Sequence, residues 1–183
     1  MNYRSFIALE APAAARESLV HCLRQFRATP GVKWVEERNL HLTLLFLGDV
    51  DSVRIPELES LLDDAVGGLK PFPLALKGVE LFPAREPRLV WASLAARDDA
   101  LVRLHKELLG SLRREGFDPD AKPLKLHITL GRIRAGLSPD VERELMRSAV
   151  DREMYPYDSL TLYRSVLRPE GPSYHVLKQY RLA

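Results

Sequence analysis

Two short stretches, His41-Leu42-Thr43-Leu44 and His127-Ile128-Thr129-Leu130, decide how this chain is read. Both alternate polar and apolar residues, the pattern of a strand with one buried face. Side chains two apart on a strand share a face. Each stretch therefore sets an imidazole beside a hydroxyl on one side and two aliphatic side chains on the other. The chain has five His and four Thr. Two His-x-Thr coincidences among them are expected at on the order of half a per cent for random placement.

The surroundings of the two stretches also repeat. A strand over residues 5–10 and a helix opened by Pro12 precede the first. An amphipathic helix over 55–66 and a strand over 72–82 follow it. A strand over 88–94 and a helix over 98–112, with Leu101, Leu104, Leu108 and Leu112 on one face, precede the second. Ser138-Pro139 then starts a helix carrying Val141, Leu145 and Val150, and strands over 160–167 and 173–182 finish the chain. The pattern predicts one α+β domain over 1–183, bilobal and pseudo-symmetric through internal duplication, with halves of roughly 1–84 and 85–183. Mainly antiparallel sheet with outer helices would frame a central cleft, the two His/Thr pairs facing each other across it.

Composition narrows the class of function. The 183 residues are 46% hydrophobic and 28% charged, enough for a packed core without cross-links. Cys22 is the only cysteine, which excludes an internal disulfide and a multi-thiolate zinc site and fits a cytoplasmic setting. No signal-peptide pattern or membrane-length apolar run occurs, so no membrane association is expected. The net charge of +2 announces no nucleic-acid binder. Between 121 and 139, however, Lys122, Lys125, Arg132 and Arg134 occur without an acid, and His127 lies among them.

Paired imidazoles suit phosphodiester hydrolysis. One neutral ring takes a proton from water while a protonated ring gives one to the departing sugar oxygen. Threonine hydroxyls donate to non-bridging phosphate oxygens. No cofactor or metal is called for. Phe46, Trp34 and Tyr174 are candidates for base stacking, with packing the favoured reading. Arg85 and Arg88 are candidates for RNA-backbone contact, with a solvated role an equal alternative. His21, His105 and His175 read as structural.

At this point the chain resembles a known family, the 2H phosphoesterases, and within it the RNA 2′,3′-cyclic phosphodiesterases, also called 2′-5′ RNA ligases. The likeness runs through RSFIALEAP (4–12), WVEERNLHLTLLFLGDV (34–50), PRLVWASL (87–94), HITLGR (127–132) and the tail from Leu162. It implies opening of RNA 2′,3′-cyclic phosphate ends to 2′-phosphates; the sequence does not separate tRNA fragments from short oligonucleotides or cyclic mononucleotides as the substrate. It further implies that His41 protonates the leaving 3′ oxygen and His127 activates water. Thr43, Thr129 and Arg132 would bind the phosphate. Arg132 has the wrong strand parity for the cleft unless the chain turns at Gly131. Leu126 stands where the family often has Pro.

Two rival readings are open. ATP-dependent joining would need a GxxxxGK[ST] loop or a Lys-x-Asp-Gly site, and the chain has neither, so any ligation would be the ATP-independent reverse reaction. A non-catalytic RNA or nucleotide binder on the same scaffold predicts a damaged motif, and both are intact. No obligate protein partner is indicated.

Overall fold

The computed structural model describes residues 1–168 and 171–183. The element order is β1 (Asn2–Glu10), α1 (Ala13–Leu23), β2 (Val32–Trp34), β3 (His41–Asp51), α2 (Ile55–Val66), β4 (Phe72–Phe82), β5 (Leu89–Ala96), α3 (Ala100–Arg114), β6 (His127–Ile133), α4 (Pro139–Arg147), β7 (Met154–Tyr157), β8 (Ser159–Val166) and β9 (Ser173–Arg181). Among the described residues the strands form one antiparallel sheet in the order β7-β4-β5-β6-β3-β1-β8-β9, with β2 added to β6.

That order is palindromic about the β6–β3 seam. β1 pairs with β3 and β8, as β5 pairs with β6 and β4. Each lobe thus takes a strand from the other end of the chain: β4 joins the β5–β6 lobe and β8 joins the β1–β3 lobe. The lobes meet at a single ladder pair, Leu42 with Ile128. The two His/Thr pairs consequently stand side by side on neighbouring strands rather than across a gap.

One face of the sheet is dry. Ile7, Leu9, Leu42 and Ile128 have no exposed surface and share one core with the helices' Leu19, Leu58, Leu62, Leu108 and Leu145. Burying such a side chain contributes about 1.5–3 kcal/mol, so this face carries much of the stability. On the opposite face Phe6, Ala8 and Tyr163 form a separate small cluster, with Tyr174 against it. The helices sit where local chemistry allows. Ser138 Oγ accepts from Val141 N, Pro139 opens α4, and Asp140 and Glu142 occupy its first turn.

Several expected boundaries shift. α4 ends at Arg147, so Val150 packs on the core from beyond the helix rather than from within it. The strand expected from 124 begins at His127, because Leu124–Leu126 form no regular ladder. β7, which carries Pro156, was not expected at all; it is an edge strand paired only with β4, where a proline is tolerated. No helix among the described residues is long and apolar enough to cross a membrane.

β2 reaches β6 only because residue 131 is glycine. Trp34 pairs with Gly131, and a Cβ there would lie 2.9 Å from both Trp34 Cε3 and Val32 Cγ1. Gly131→Val should lower unfolding free energy by about 1–3 kcal/mol, the usual cost of overpacking, in urea denaturation. An unchanged midpoint would show that β2 yields freely.

Candidate active site

Leu42 and Ile128 point into the core, so their neighbours point away from it. An antiparallel ladder centred on that pair sets His41 opposite Thr129 and Thr43 opposite His127. All four are half-buried on the open face. The four motif residues named from the sequence are brought together on two strands.

Both imidazoles are held in the same way. His41 Nδ1 lies 2.7 Å from the Asn39 carbonyl oxygen, and His127 Nδ1 lies 2.8 Å from that of Lys125. A carbonyl only accepts, so Nδ1–H donates in each case and Nε2 remains the nitrogen for proton exchange. Each ring is also backed by an aromatic column. His41 stacks on Phe6 at 5.1 Å and Phe6 on Tyr163 at 5.0 Å. His127 lies 4.4 Å from Trp91, which stacks on Phe82 at 4.2 Å, with Lys125 Nζ over Phe82.

Arg132 reaches the same face through a bulge. In β6 the register passes from Thr129–Trp91 to Gly131–Val90, leaving Leu130 as an extra residue that reverses the alternation. β3 has the same bulge at Leu44, between Thr43–Ala8 and Leu45–Ile7. The fifth residue after each histidine therefore turns to the open face: Arg132 in one lobe and Phe46 in the other.

A cavity of about 1340 Å³ lies over this face, and His41, Thr43, Thr129, Arg132, Trp34 and Phe46 are in its wall. His127 is not, though it stands on the strand beside Thr43. Phe46 is 53% exposed, so it is not the packing residue expected from the sequence. Tyr174 sits edge-on to His41 at 5.4 Å and also lines the cavity, as does the exposed His175, which was read as structural. His105 is buried on α3, as a structural histidine would be, whereas His21 is exposed on α1. Arg85 and Arg88 are exposed outside the cavity wall. Sequence reasoning missed Glu10. Its Oε1 accepts from Thr161 Oγ1 at 2.8 Å, Tyr163 Oη at 2.9 Å and Gln179 Nε2 at 3.0 Å. Nothing in its own neighbourhood of sequence signals this, because all three donors come from β8 and β9.

Burial lowers both histidines. It pushes His41 down to about 4; the Asn39 hydrogen bond and Glu10 oppose the shift, and His127 adds to it. Burial also lowers His127, opposed by its bond to the Lys125 carbonyl and reinforced by the Lys125 ammonium. Both rings are therefore neutral in the empty cleft at neutral pH. No group of three or more His, Cys, Asp or Glu side chains among the described residues could hold a metal ion.

The chain matches the family model for LigT like phosphoesterases over residues 9–91 and 94–174. It is 33% identical to an RNA 2′,3′-cyclic phosphodiesterase of Archaeoglobus fulgidus over 97% of this chain and 99% of that one. Its fold is similar to the crystal structure of TT0787 of Thermus thermophilus, with a TM-score of 0.84, 31% identity and coverage of 98% and 97%. It is also similar to Escherichia coli LigT complexed with 3′-AMP, with a TM-score of 0.77, 26% identity and coverage of 100% and 99%.

In an NMR titration of the free protein, His41 and His127 should both titrate below the ordinary value of about 6.5. Inorganic phosphate should raise both, because an anion favours imidazolium. Unfolded chain binds these protons in a window, from about 6.5 down to about 4, where folded His41 does not. Stability should accordingly fall as pH drops through that window, and less steeply in His41→Gln. A His41 resonance titrating near 6.5 would contradict the burial argument.

Proposed function

The chain belongs to the LigT like phosphoesterase family, and from that premise we propose that it hydrolyses RNA 2′,3′-cyclic phosphate ends to 2′-phosphates. His41 and His127 exchange the protons, and no metal takes part. The observation that carries this reading is the matched tethering of the rings. Each Nδ1 is engaged by the carbonyl two residues back, which leaves two Nε2 atoms on one face beside two threonine hydroxyls.

The roles follow from the chemistry. One imidazole accepts a proton from water as the water oxygen attacks phosphorus. The other donates a proton to O3′ as the P–O3′ bond breaks. In the family pattern the acceptor is His127 and the donor is His41. A phosphodiester monoanion entering the cleft supplies the charge that lets one buried ring become protonated. Thr43 and Thr129 donate to the non-bridging oxygens, and Arg132, brought over by the Leu130 bulge, supplies the positive charge. The cavity of about 1340 Å³ leaves room for RNA beyond the terminal nucleotide, and tRNA fragments are one class of substrate that carries such an end. Run backward, the same proton transfers join a 2′,3′-cyclic phosphate to a 5′-hydroxyl without ATP. The palindromic strand order supports one duplicated domain over 1–183, its halves meeting near 84–85. The lone cysteine favours a cytoplasmic setting.

The direct test is product analysis on an oligonucleotide ending in a 2′,3′-cyclic phosphate, with EDTA present. A 2′-phosphate product at undiminished rate is expected; loss of activity restored by a divalent ion would overturn the metal-free mechanism. His41→Ala and His127→Ala should each lower turnover by roughly 10²–10⁴-fold, and the double variant far less than multiplicatively. Thr43→Val, Thr129→Val and Arg132→Ala should each weaken 2′-phosphate product binding by about 1.5–3 kcal/mol, Arg132 most. A folded His→Ala variant with near-normal turnover would leave a nucleotide binder as the better reading.

The pH profile follows from the lowered histidines. kcat/KM should trace a bell whose limbs belong to the pair, with its maximum below about pH 6.5 because the free enzyme must hold one buried ring protonated. A flat profile between about pH 5 and 9 would argue against paired imidazoles.

A further inference from the structure

A ribose 2′,3′-cyclic phosphate has two unlike flanks. The base hangs from C1′, on the O2′ side. The 5′ arm hangs from C4′, on the O3′ side. The cleft also has two unlike flanks. β3 and β6 run in opposite directions through the seam, so Phe46 lies beyond the Thr43–His127 row and Arg132 lies beyond the His41–Thr129 row. On the Arg132 side the sheet continues into β2, where Lys33 pairs in register with Arg132.

We propose that Lys33, with Arg132 beside it, is the subsite for a second phosphate of the substrate, the one on O5′ of the nucleotide that carries the cyclic phosphate. This rests on the cyclic phosphodiesterase reading above. Cross-strand partners share a face, so Lys33 joins Arg132 on the open side, and both are in the cavity wall. Two cations directly opposite each other repel, and an anion between them turns that contact favourable. The Lys33 ammonium reaches across to the other lobe. A Cβ added at Gly171, just before β9, would lie 2.9 Å from its Nζ. The spacing also fits. Arg132 stands past Thr129 by two strand steps and the bulge, which sets Lys33 roughly 7 Å from the motif row. That is about the reach of one nucleoside between consecutive phosphates.

The charges on the two flanks sort a nucleotide in the same sense. Beside the exposed Phe46 ring the wall holds Asp118 and Asp120, and Asp120 N donates to the Phe46 carbonyl at 2.8 Å. Arg4, on that flank, stands opposite Asp49 in the β1–β3 ladder. Toward Lys33 the wall's Glu36 is already paired with Arg38 at 2.7 Å. An aromatic base and its amino groups suit the first flank, and an anionic arm suits the second. With the 5′ arm on the Arg132 side, O3′ faces the His41 row. Water in line with the departing O3′ then enters from the His127 row. The seating of the second phosphate thereby gives the two histidines their opposite roles.

The test measures binding of a nucleoside 2′-phosphate and of the corresponding 2′,5′-bisphosphate by calorimetry, with wild type, Lys33→Met and Arg4→Met, folding checked by circular dichroism. The bisphosphate should bind wild type about tenfold more tightly than the monophosphate. In Lys33→Met that advantage should vanish while monophosphate affinity stays within about twofold. Arg4→Met should keep the advantage in full. Equal binding of the two nucleotides to wild type would overturn the subsite. So would an equal loss for both in Lys33→Met, which would place Lys33 on the 2′-phosphate. Loss of the advantage in Arg4→Met instead would mean that the nucleotide lies the other way round. If Lys33→Met fails to fold, Lys33→Gln takes its place. The oligonucleotide assay above separates the two levels: hydrolysis there beside equal binding here removes the subsite alone, whereas no hydrolysis there removes the reading beneath it.

Discussion

The site depends on one backbone contact, the antiparallel pairing of Leu42 with Ile128 at the seam between the lobes. Both side chains are fully buried. Apolar burial on one face of the sheet therefore sets the geometry on the other, because alternation leaves His41, Thr43, His127 and Thr129 no direction but the cleft. A register slip of one residue would turn the imidazoles into the core and the aliphatics into water. Removing either side chain costs about 2–5 kcal/mol, so the register is guarded by the same packing that holds the fold. The two histidines and two threonines of the open face stand outside that core. They are placed by residues buried on the other face.

The bulges extend this control by one step. A strict strand would send the fifth residue after each histidine into the core. The extra residues Leu44 and Leu130 are themselves buried, so each bulge keeps the core filled while reversing the alternation beyond it. In β6 this delivers a guanidinium to the cleft, and in β3 an exposed phenyl ring. The same backbone device thus carries different chemistry in the two lobes.

What was legible in the sequence was whatever depends on short spacing. The alternation in HLTL and HITL set the face of each side chain, and the 3.6-residue pattern placed α2 at Ile55–Val66 as observed. The need for a turn at Gly131 could be deduced from parity, and the bulge meets it at Leu130. What was not legible depends on strand order. Nothing local says that β3 and β6 are neighbours, that β4 and β8 change lobes, or that Phe46, Trp34 and Tyr174 end in one cavity wall. Phe46 reads from sequence as a packing aromatic, and an unbroken strand would indeed have buried it; the bulge at Leu44 leaves it 53% exposed. Glu10 was invisible for the same reason, since its partners lie more than 150 positions away.

The lowered histidines couple the acid to its substrate. A charged imidazole held in an empty, half-buried cleft would face its own desolvation and the repulsion of its twin. Burial instead leaves both rings neutral until an anion arrives. In the proposed reaction the substrate's phosphate then supplies part of the field that creates the acid used upon it, and protonation becomes coupled to binding of the right charge. An uncharged ligand of similar shape would fill the cavity without arming it. On the proposed reading, selectivity for a phosphodiester arises from the electrostatics of the pair as well as from contacts to Thr43, Thr129 and Arg132.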